Sequence, residues 1–279
     1  MEKKIVIFGA GYYGRNAFRV SKYKNYKTIF FVDNNFEHLK KKIMGIKVCS
    51  PIVLKKNITN FHYIILTGRH IDEMRRQLLK FKIDKKKILT WGKKDLKLKR
   101  KYFTERSNDI YNSLKKLVSY FKKYKINFWL DHGSLLFVTR KQDLADTYDV
   151  DLIFNIKDLS KLERICKQIC HKYKNYNYKT QLYRSSLLEK KIKKIVLFKT
   201  SSKNKNYEPA IFEFNLLVNK NKKFENLAKN KIFFKNFWKK NFFLKYKGIF
   251  LPVPFCHTKY LNIVYGDNWK TKLNFYKNS

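Results

Sequence analysis

Asp149-Val150-Asp151-Leu152-Ile153-Phe154 reads as a β-strand in which alternation sets Asp149 and Asp151 on one face and Val150 and Leu152 on the other. Two carboxylates on one strand face repel each other unless positive charge lies between them. A divalent cation, Mg²⁺ or Mn²⁺, takes oxygen ligands of this kind and is typically held by one or two carboxylates plus substrate phosphates. The chain has only 21 acids against 64 bases, yet Asp131, Asp143, Asp146, Asp149 and Asp151 fall within one short stretch. That clustering marks a candidate centre of chemistry, with a solvated acidic face as its plain alternative.

Upstream, Phe128–Leu130 predicts a strand, and His132-Gly133-Ser134 a tight turn into a short helix over Gly133–Arg140. A turn into a helix N-terminus suits backbone contact with phosphate. Around these lie a helix over Asn108–Tyr124, a helix over Leu159–Tyr173, strands including Lys194–Lys199 and Ala210–Val218, and a final helix over Phe255–Val264. Ile211-Phe212-Glu213-Phe214 supplies a later lone acid on a strand. The Lys/Asn-rich stretch 219–232 reads as a loop.

The first ninety residues have a different texture. Ile5-Val6-Ile7-Phe8 leads into Gly9-Ala10-Gly11-Tyr12-Tyr13-Gly14 and a helix to Tyr23; a second strand ends at Asp33. Further strands at His62–Leu66 and Lys87–Thr90 flank a helix at Ile71–Phe81. This is a parallel α/β pattern, and Gly9, Gly11, Gly14 and Asp33 match a dinucleotide-binding fingerprint in the strand–turn–helix context it requires. The expected fold is therefore an α/β Rossmann-like parallel-sheet domain at 1–91, a linker at 92–106, and an α+β domain at 107–279. Val32-Asp33-Asn34-Asn35, then Gly45-Ile46-Lys47-Val48 and Ser50-Pro51, make the first module resemble the N-terminal modules of bacterial sugar-modifying enzymes. Such a module serves as a scaffold or takes a nucleotide or nucleotide sugar; NAD(P) is the least favoured ligand, since no second mononucleotide half follows.

A net charge of +43 invites a nucleic-acid reading, but the excess is spread evenly along the chain, 54 of the 64 bases are Lys, and no RNA-binding motif stands out. Nucleic acid is accordingly disfavoured as a partner. The field still draws anionic donors, glycans or lipid, including peripheral contact with an anionic inner membrane surface. With 44% hydrophobic residues the chain is not disordered, and no apolar run is long enough to span a bilayer. The expected location is cytoplasmic. Cys166, Cys170, His171, Cys256 and His257 could make a zinc site if the last helix packed beside 159–173, although the Cys166/Cys170 spacing is that of ordinary core residues. Phe233–Phe243 interleaves aromatics with Lys, as a base-stacking, membrane-surface or core segment would.

The order of hydrophobic strand, Gly133-Ser134, spacer, Asp149-Val150-Asp151 and Glu213 resembles the nucleotidyltransferase superfamily. Trp129-Leu130-Asp131-His132-Gly133-Ser134-Leu135-Leu136, then Arg140 and Asp149-Val150-Asp151, is similar to its LicD branch, which includes the fukutin-type proteins. Leu251-Pro252-Val253-Pro254 and Tyr265-Gly266-Asp267-Asn268-Trp269 are similar to that family's closing segment. Phe137 stands where the family has a glycine, and Ser134 replaces the commoner Thr. The resemblance implies a phosphotransferase that moves a phosphoalcohol from a CDP-alcohol donor to a sugar hydroxyl of a glycan acceptor. It implies Asp149, Asp151 and Glu213 as metal ligands and catalytic residues, and Arg140 as a phosphate contact. Gly133, Ser134, Asp131, Tyr265 and Asp267 are implied as substrate contacts. A nucleotidyltransferase acting on RNA and a degenerate scaffold protein are the competing readings.

Overall fold

A computed structural model describes residues 2–38, 42–68, 70–92, 94–147, 149–199, 207–209, 211–220, 223–226, 231–238 and 242–270. The chain divides into two compact units, Met1–Glu105 with Ser201–Glu208, and Arg106–Thr200 with Pro209–Ser279.

The first unit is Rossmann-like. Strands β1 (Lys3–Phe8), β2 (Tyr26–Val32), β3 (Lys42–Ile43), β4 (Ile46–Cys49), β5 (Tyr63–Leu66) and β6 (Ile88–Thr90) lie in the order β3-β4-β2-β1-β5-β6. All pairings are parallel except β3 with β4. Helices α1 (Tyr12–Tyr23), α2 (Val53–Lys56) and α3 (Ile71–Lys80) connect them. Neighbouring β1 residues point to opposite faces, so Ile5 and Ile7 enter one core with Ala17, Val20 and Phe31. Val6 and Phe8 enter another with Leu54, Ile64 and Leu78.

The glycine loop is built for close backbone contact. Gly9 has φ +102°, and a Cβ on Gly14 would lie 1.7 Å from the Gly9 carbonyl oxygen. Asp33 Oδ2 accepts from the Ala10 N–H at 2.8 Å, and Oδ1 from the Asn35 N–H at 2.9 Å. Its carboxylate thus braces the loop from within the protein.

The expected linker is more ordered than its composition suggests. Leu96 packs into the first core beside Trp91, Asp95 Oδ2 accepts from the Gly92 N–H at 2.9 Å, and helix α4 (Arg100–Lys123) starts eight residues earlier than expected. The Lys-rich surface hid a helix that buries only a few positions, among them Arg106, Ser107 and Ile110.

The second unit is α+β. It contains β7 (Phe128–Leu130), α5 (His132–Thr139), β8 (Asp149–Asn155), α6 (Leu159–Lys172), β9 (Tyr176–Arg184), β10 (Lys191–Lys199) and β11 (Ile211–Lys220). After these come β12 (Lys223–Asn226), β13 (Lys231–Phe234), β14 (Phe242–Tyr246), β15 (Ile249–Val253) and α7 (His257–Tyr265). β9 to β13 form an antiparallel run, β8 joins β11 in parallel and β7 antiparallel, and β14 with β15 is a separate hairpin. Phe121, Phe128, Phe154 and Phe214 pack ring to ring, with centroids 5.0–6.0 Å apart, beneath the sheet.

The stretch expected as a loop at 219–232 holds all of β12, the end of β11 and the start of β13. Phe224, Glu225 and Asn226 are buried, and Glu225 accepts from Ser185 Oγ, Ser186 Oγ and two backbone N–H groups. Those donors come from the β9–β10 turn, which local composition does not reveal. Its residues 221–222 and 227–230 lie outside the described residues.

Candidate active site

Parallel pairing of β8 with β11 sets Ile211 opposite Asp149 and Glu213 opposite Asp151. In a pleated sheet these positions share a face, and the carboxylates of Asp149, Asp151 and Glu213 each offer an oxygen within 4.8 Å of the others. Asp151 is buried. Burial, followed by the charges of Asp149, Asp131 and Glu213, pushes its pKa well above the usual carboxylate range, and Lys194 opposes the rise. Three converging oxygen donors with no thiolate or imidazole among them fit a hard divalent cation.

Lys194, buried on β10, pairs with Glu213 Oε2. Nothing in the sequence distinguishes it from the other 53 lysines. It is nevertheless the cation that faces this acidic face among the described ion pairs of the site.

Helix α5 abuts the same carboxylates. Asp151 N–H donates to Ser134 Oγ at 2.8 Å, Asp131 N–H donates to the Asp151 carbonyl at 3.1 Å, and a Cβ on Gly133 would sit 3.7 Å from Asp151 Oδ2. The helix N-terminus, with its positive dipole end, is therefore held beside Asp151. His132, the first helical residue, has φ +42°, an uncommon conformation for a residue with a Cβ. Its Nδ1 lies 2.9 Å from Asp131 Oδ1, outside hydrogen-bond geometry.

Asp131 and Ser134, expected as substrate contacts, are both engaged within the protein. Asp131 is wholly buried: Oδ1 accepts from the His132 N–H and from Tyr260 Oη, and Oδ2 from Asn215 Nδ2 at 3.1 Å and Asn226 Nδ2 at 2.9 Å. Burial alone would raise its pKa, but His132 and these donors hold it down at about 2. It caps α5 and pins that helix to β11, β12 and α7. Ser134 is likewise buried, with its hydroxyl committed to Asp151.

Arg140 caps the C-terminal end of α5, and burial lowers its pKa while Tyr265 opposes this. Tyr265, at the end of α7, is half-buried. Burial first, then Asp151, Asp131 and Asp149, push its phenol pKa up, so its hydroxyl stands in the field of the acidic cluster. Asp267 is exposed and its Oδ1 accepts from Asn262 Nδ2 at 2.9 Å, a clasp on the turn after α7.

The other acids of the dense stretch separate from the cluster. Asp143 accepts from Ser107, Ala145 N–H and Tyr246 and pairs with Lys247 at 2.9 Å, and Asp146 is exposed. Arg106 Nη1 and Nη2 donate to the Ala145 and Thr147 carbonyls at 2.5 and 2.9 Å, fixing the approach to β8. No zinc set forms among the described residues: Cys166 is a buried core residue of α6, and His257 stacks on Phe242. Asn226 and Tyr260 escaped sequence reading as site residues. Asn226 lay in the supposed loop, and Tyr260 gains its importance only through Asp131.

Residues 1–89 match a family profile described as C2185-like, N-terminal, and residues 125–263 match one described as LicD/FKTN/FKRP, nucleotidyltransferase domain. No curated protein matches the chain. Among solved structures, a UDP-D-quinovosamine 4-dehydrogenase from Vibrio fischeri is 23% identical over 33% of this chain and 80% of its own, with a TM-score of 0.28. The lincosamide antibiotic adenylyltransferase LnuA, lincomycin-bound, is 14% identical over 55% of this chain and 84% of its own, with a TM-score of 0.35.

Proposed function

We propose, because residues 125–263 match the LicD/FKTN/FKRP nucleotidyltransferase domain, that the chain is a divalent-cation-dependent phosphotransferase acting on glycans. It moves a phosphoalcohol, such as phosphocholine, ribitol phosphate or glycerol phosphate, from a CDP-activated donor to a sugar hydroxyl of a cell-surface glycan. The observation that carries this reading is the convergence of Asp149, Asp151 and Glu213 on one sheet face beside the N-terminus of α5.

In the proposed reaction the acceptor oxygen forms a bond to the phosphorus bearing the alcohol, and the bond from that phosphorus to CMP breaks. Asp149, Asp151 and Glu213 would hold Mg²⁺ or Mn²⁺, which neutralises charge on the transferring group and on departing CMP. Phosphoryl transfer of this kind depends mainly on positioning and electrostatics. The N–H groups at the start of α5 bind donor phosphate oxygens, and Arg140 contributes a fixed guanidinium fork. A Glu213 oxygen not engaged by Lys194 is the candidate to take the acceptor proton. Tyr265 orients the bound phosphate from the α7 side. In the first unit Asp33 is already engaged by two backbone N–H groups, which favours a scaffold role for the glycine loop over a cofactor site, NAD(P) included.

The test is incubation with CDP-choline, CDP-ribitol, CDP-glycerol and each NTP in Mg²⁺, scored for CMP and pyrophosphate. CMP release that EDTA and Asp151→Ala abolish is the expected outcome. Pyrophosphate without CMP would replace the proposal with nucleotidyl transfer, and release of neither product, or full activity in EDTA, would overturn it.

A further inference from the structure

The hairpin β14–β15 pairs with no other strand among the described residues. Lys247 and Gly248 at its tip have φ +46° and +86°, the left-handed pair that a two-residue hairpin turn requires. Cross-strand partners share a face, so Leu244 with Leu251 and Tyr246 with Ile249 define one side, and Phe243 with Pro252 and Lys245 with Phe250 the other.

The first side is the inner one. Leu251 and Val253 are fully buried, Tyr246 Oη donates to Asp143, and Lys247 pairs with Asp143. On the second side Pro252 is buried, but Phe243 is 48% and Phe250 63% exposed, and Lys245 between them is exposed. Phe242 falls on the first side, paired with Val253 and stacked on His257, and Phe255 lies beyond β15, so neither belongs to this face. Two large rings so exposed on one face, with a lysine between them, form a patch of the kind that marks an interaction surface.

Charge narrows the partner. From Asn226 to Gly266 the chain has no Asp or Glu and eight Lys, so the segment bearing these rings carries positive charge only. A protein partner would need apolar and acidic groups in register, whereas an anionic bilayer offers both over any area. Nucleic acid is the less suitable polyanion. Stacked bases need a groove that follows the backbone, whereas these rings lie on the outer face of a hairpin, and the segment has no Arg to fork a phosphate.

We propose that the outer face of β14–β15 docks on an anionic lipid bilayer, with Phe243 and Phe250 entering the headgroup–acyl boundary and Lys245 pairing with lipid phosphates. The inner face of the same hairpin packs towards β7 and α5, so docking would hold the candidate active site close to a lipid-borne acceptor. This goes beyond the catalytic reading and is measured without any donor, so either can fail alone.

The test is co-sedimentation of the full chain with vesicles of phosphatidylcholine alone and of phosphatidylcholine mixed with phosphatidylglycerol, alongside capture on poly-uridine. Wild type is expected to bind the phosphatidylglycerol vesicles and not the neutral ones, weakening as salt rises. Phe243→Ser/Phe250→Ser is expected to lose at least about tenfold in partitioning with an unchanged melting temperature. Lys245→Glu, a separate variant of one exposed side chain, should bind less with both rings in place. Absence of vesicle binding, equal binding by wild type and the double variant, or binding to poly-uridine without vesicles would each overturn the proposal.

Discussion

Glu213 stands directly opposite Asp151 in the parallel pairing of β8 with β11, and Lys194 on β10 holds Glu213 from the other side. One buried cation thus partly offsets an acidic face whose central member, Asp151, has its pKa raised by burial and by the neighbouring carboxylates. Several consequences of this arrangement can be measured without knowing the substrate.

Removing charge from Asp151 should stabilise the cation-free protein. Its folded-state pKa is raised, so the stabilisation from protonation is fully present below the unfolded value of about 4 and is lost as pH rises through the folded value. In EDTA the wild-type melting temperature should therefore fall as pH rises from mildly acid to alkaline, and that of Asp151→Asn should fall less. At alkaline pH the variant should melt higher by a few degrees, about 2–4 °C per kcal/mol relieved. Mg²⁺ should raise the wild-type value and leave the variant nearly unmoved; identical pH profiles would contradict this.

Lys194→Met should act in two directions. Without divalent cation it leaves Glu213 facing Asp151 uncompensated and should cost about 1–3 kcal/mol in urea unfolding. With the positive neighbour gone, the Mg²⁺ concentration giving the half-maximal thermal shift should fall several-fold. An unchanged or higher midpoint would mean that Lys194 is remote from any bound cation.

Asp131→Ala should be among the most damaging single changes, costing about 3–5 kcal/mol, because Tyr260, Asn215 and Asn226 lose their buried acceptor together. Tyr260→Phe removes one donor and should cost about 1–2 kcal/mol. The Asp131 pKa is depressed to about 2, so its contribution is present above pH ~4 and lost as pH falls towards 2. Urea titrations across that range should show Asp131→Ala converging on wild type at the acid end.

Gly14→Ala and Gly11→Ala should separate cleanly. The added Cβ at Gly14 meets the Gly9 backbone at 1.7 Å, whereas nothing lies within 4 Å of one at Gly11. The first should destabilise by about 3 kcal/mol or more and expose the first unit to protease, and the second by under about 1 kcal/mol.

The parallel texture of the first ninety residues, the strand carrying Asp149 and Asp151, and Glu213 on a later strand are all legible in sequence, because alternation and glycine spacing are local properties of the chain. The density of acids at 131–151 was a partial guide. It located Asp149 and Asp151, but also gathered Asp131 and Asp143, which the fold uses to pin α5 and to anchor the β14–β15 hairpin. Lys-rich composition misled at 92–106 and 219–232, where a few buried positions, Leu96, Arg106 and Asn226 among them, outweigh many solvated ones.

What the sequence alone determined is the identity of the acids and the strands that carry them, since a period of two is written in consecutive residues. Only the tertiary structure decided which groups face them. Lys194, Ser134, Tyr260 and Tyr265 come to Asp131 and Asp151 from three separate elements, β10, α5 and α7, and the register between strands distant in sequence is set by the burial of Phe121, Phe154 and Phe214 rather than by any local signal. Whether a carboxylate is a ligand or a brace depends on whether buried donors reach it first, and that is a property of the packed chain.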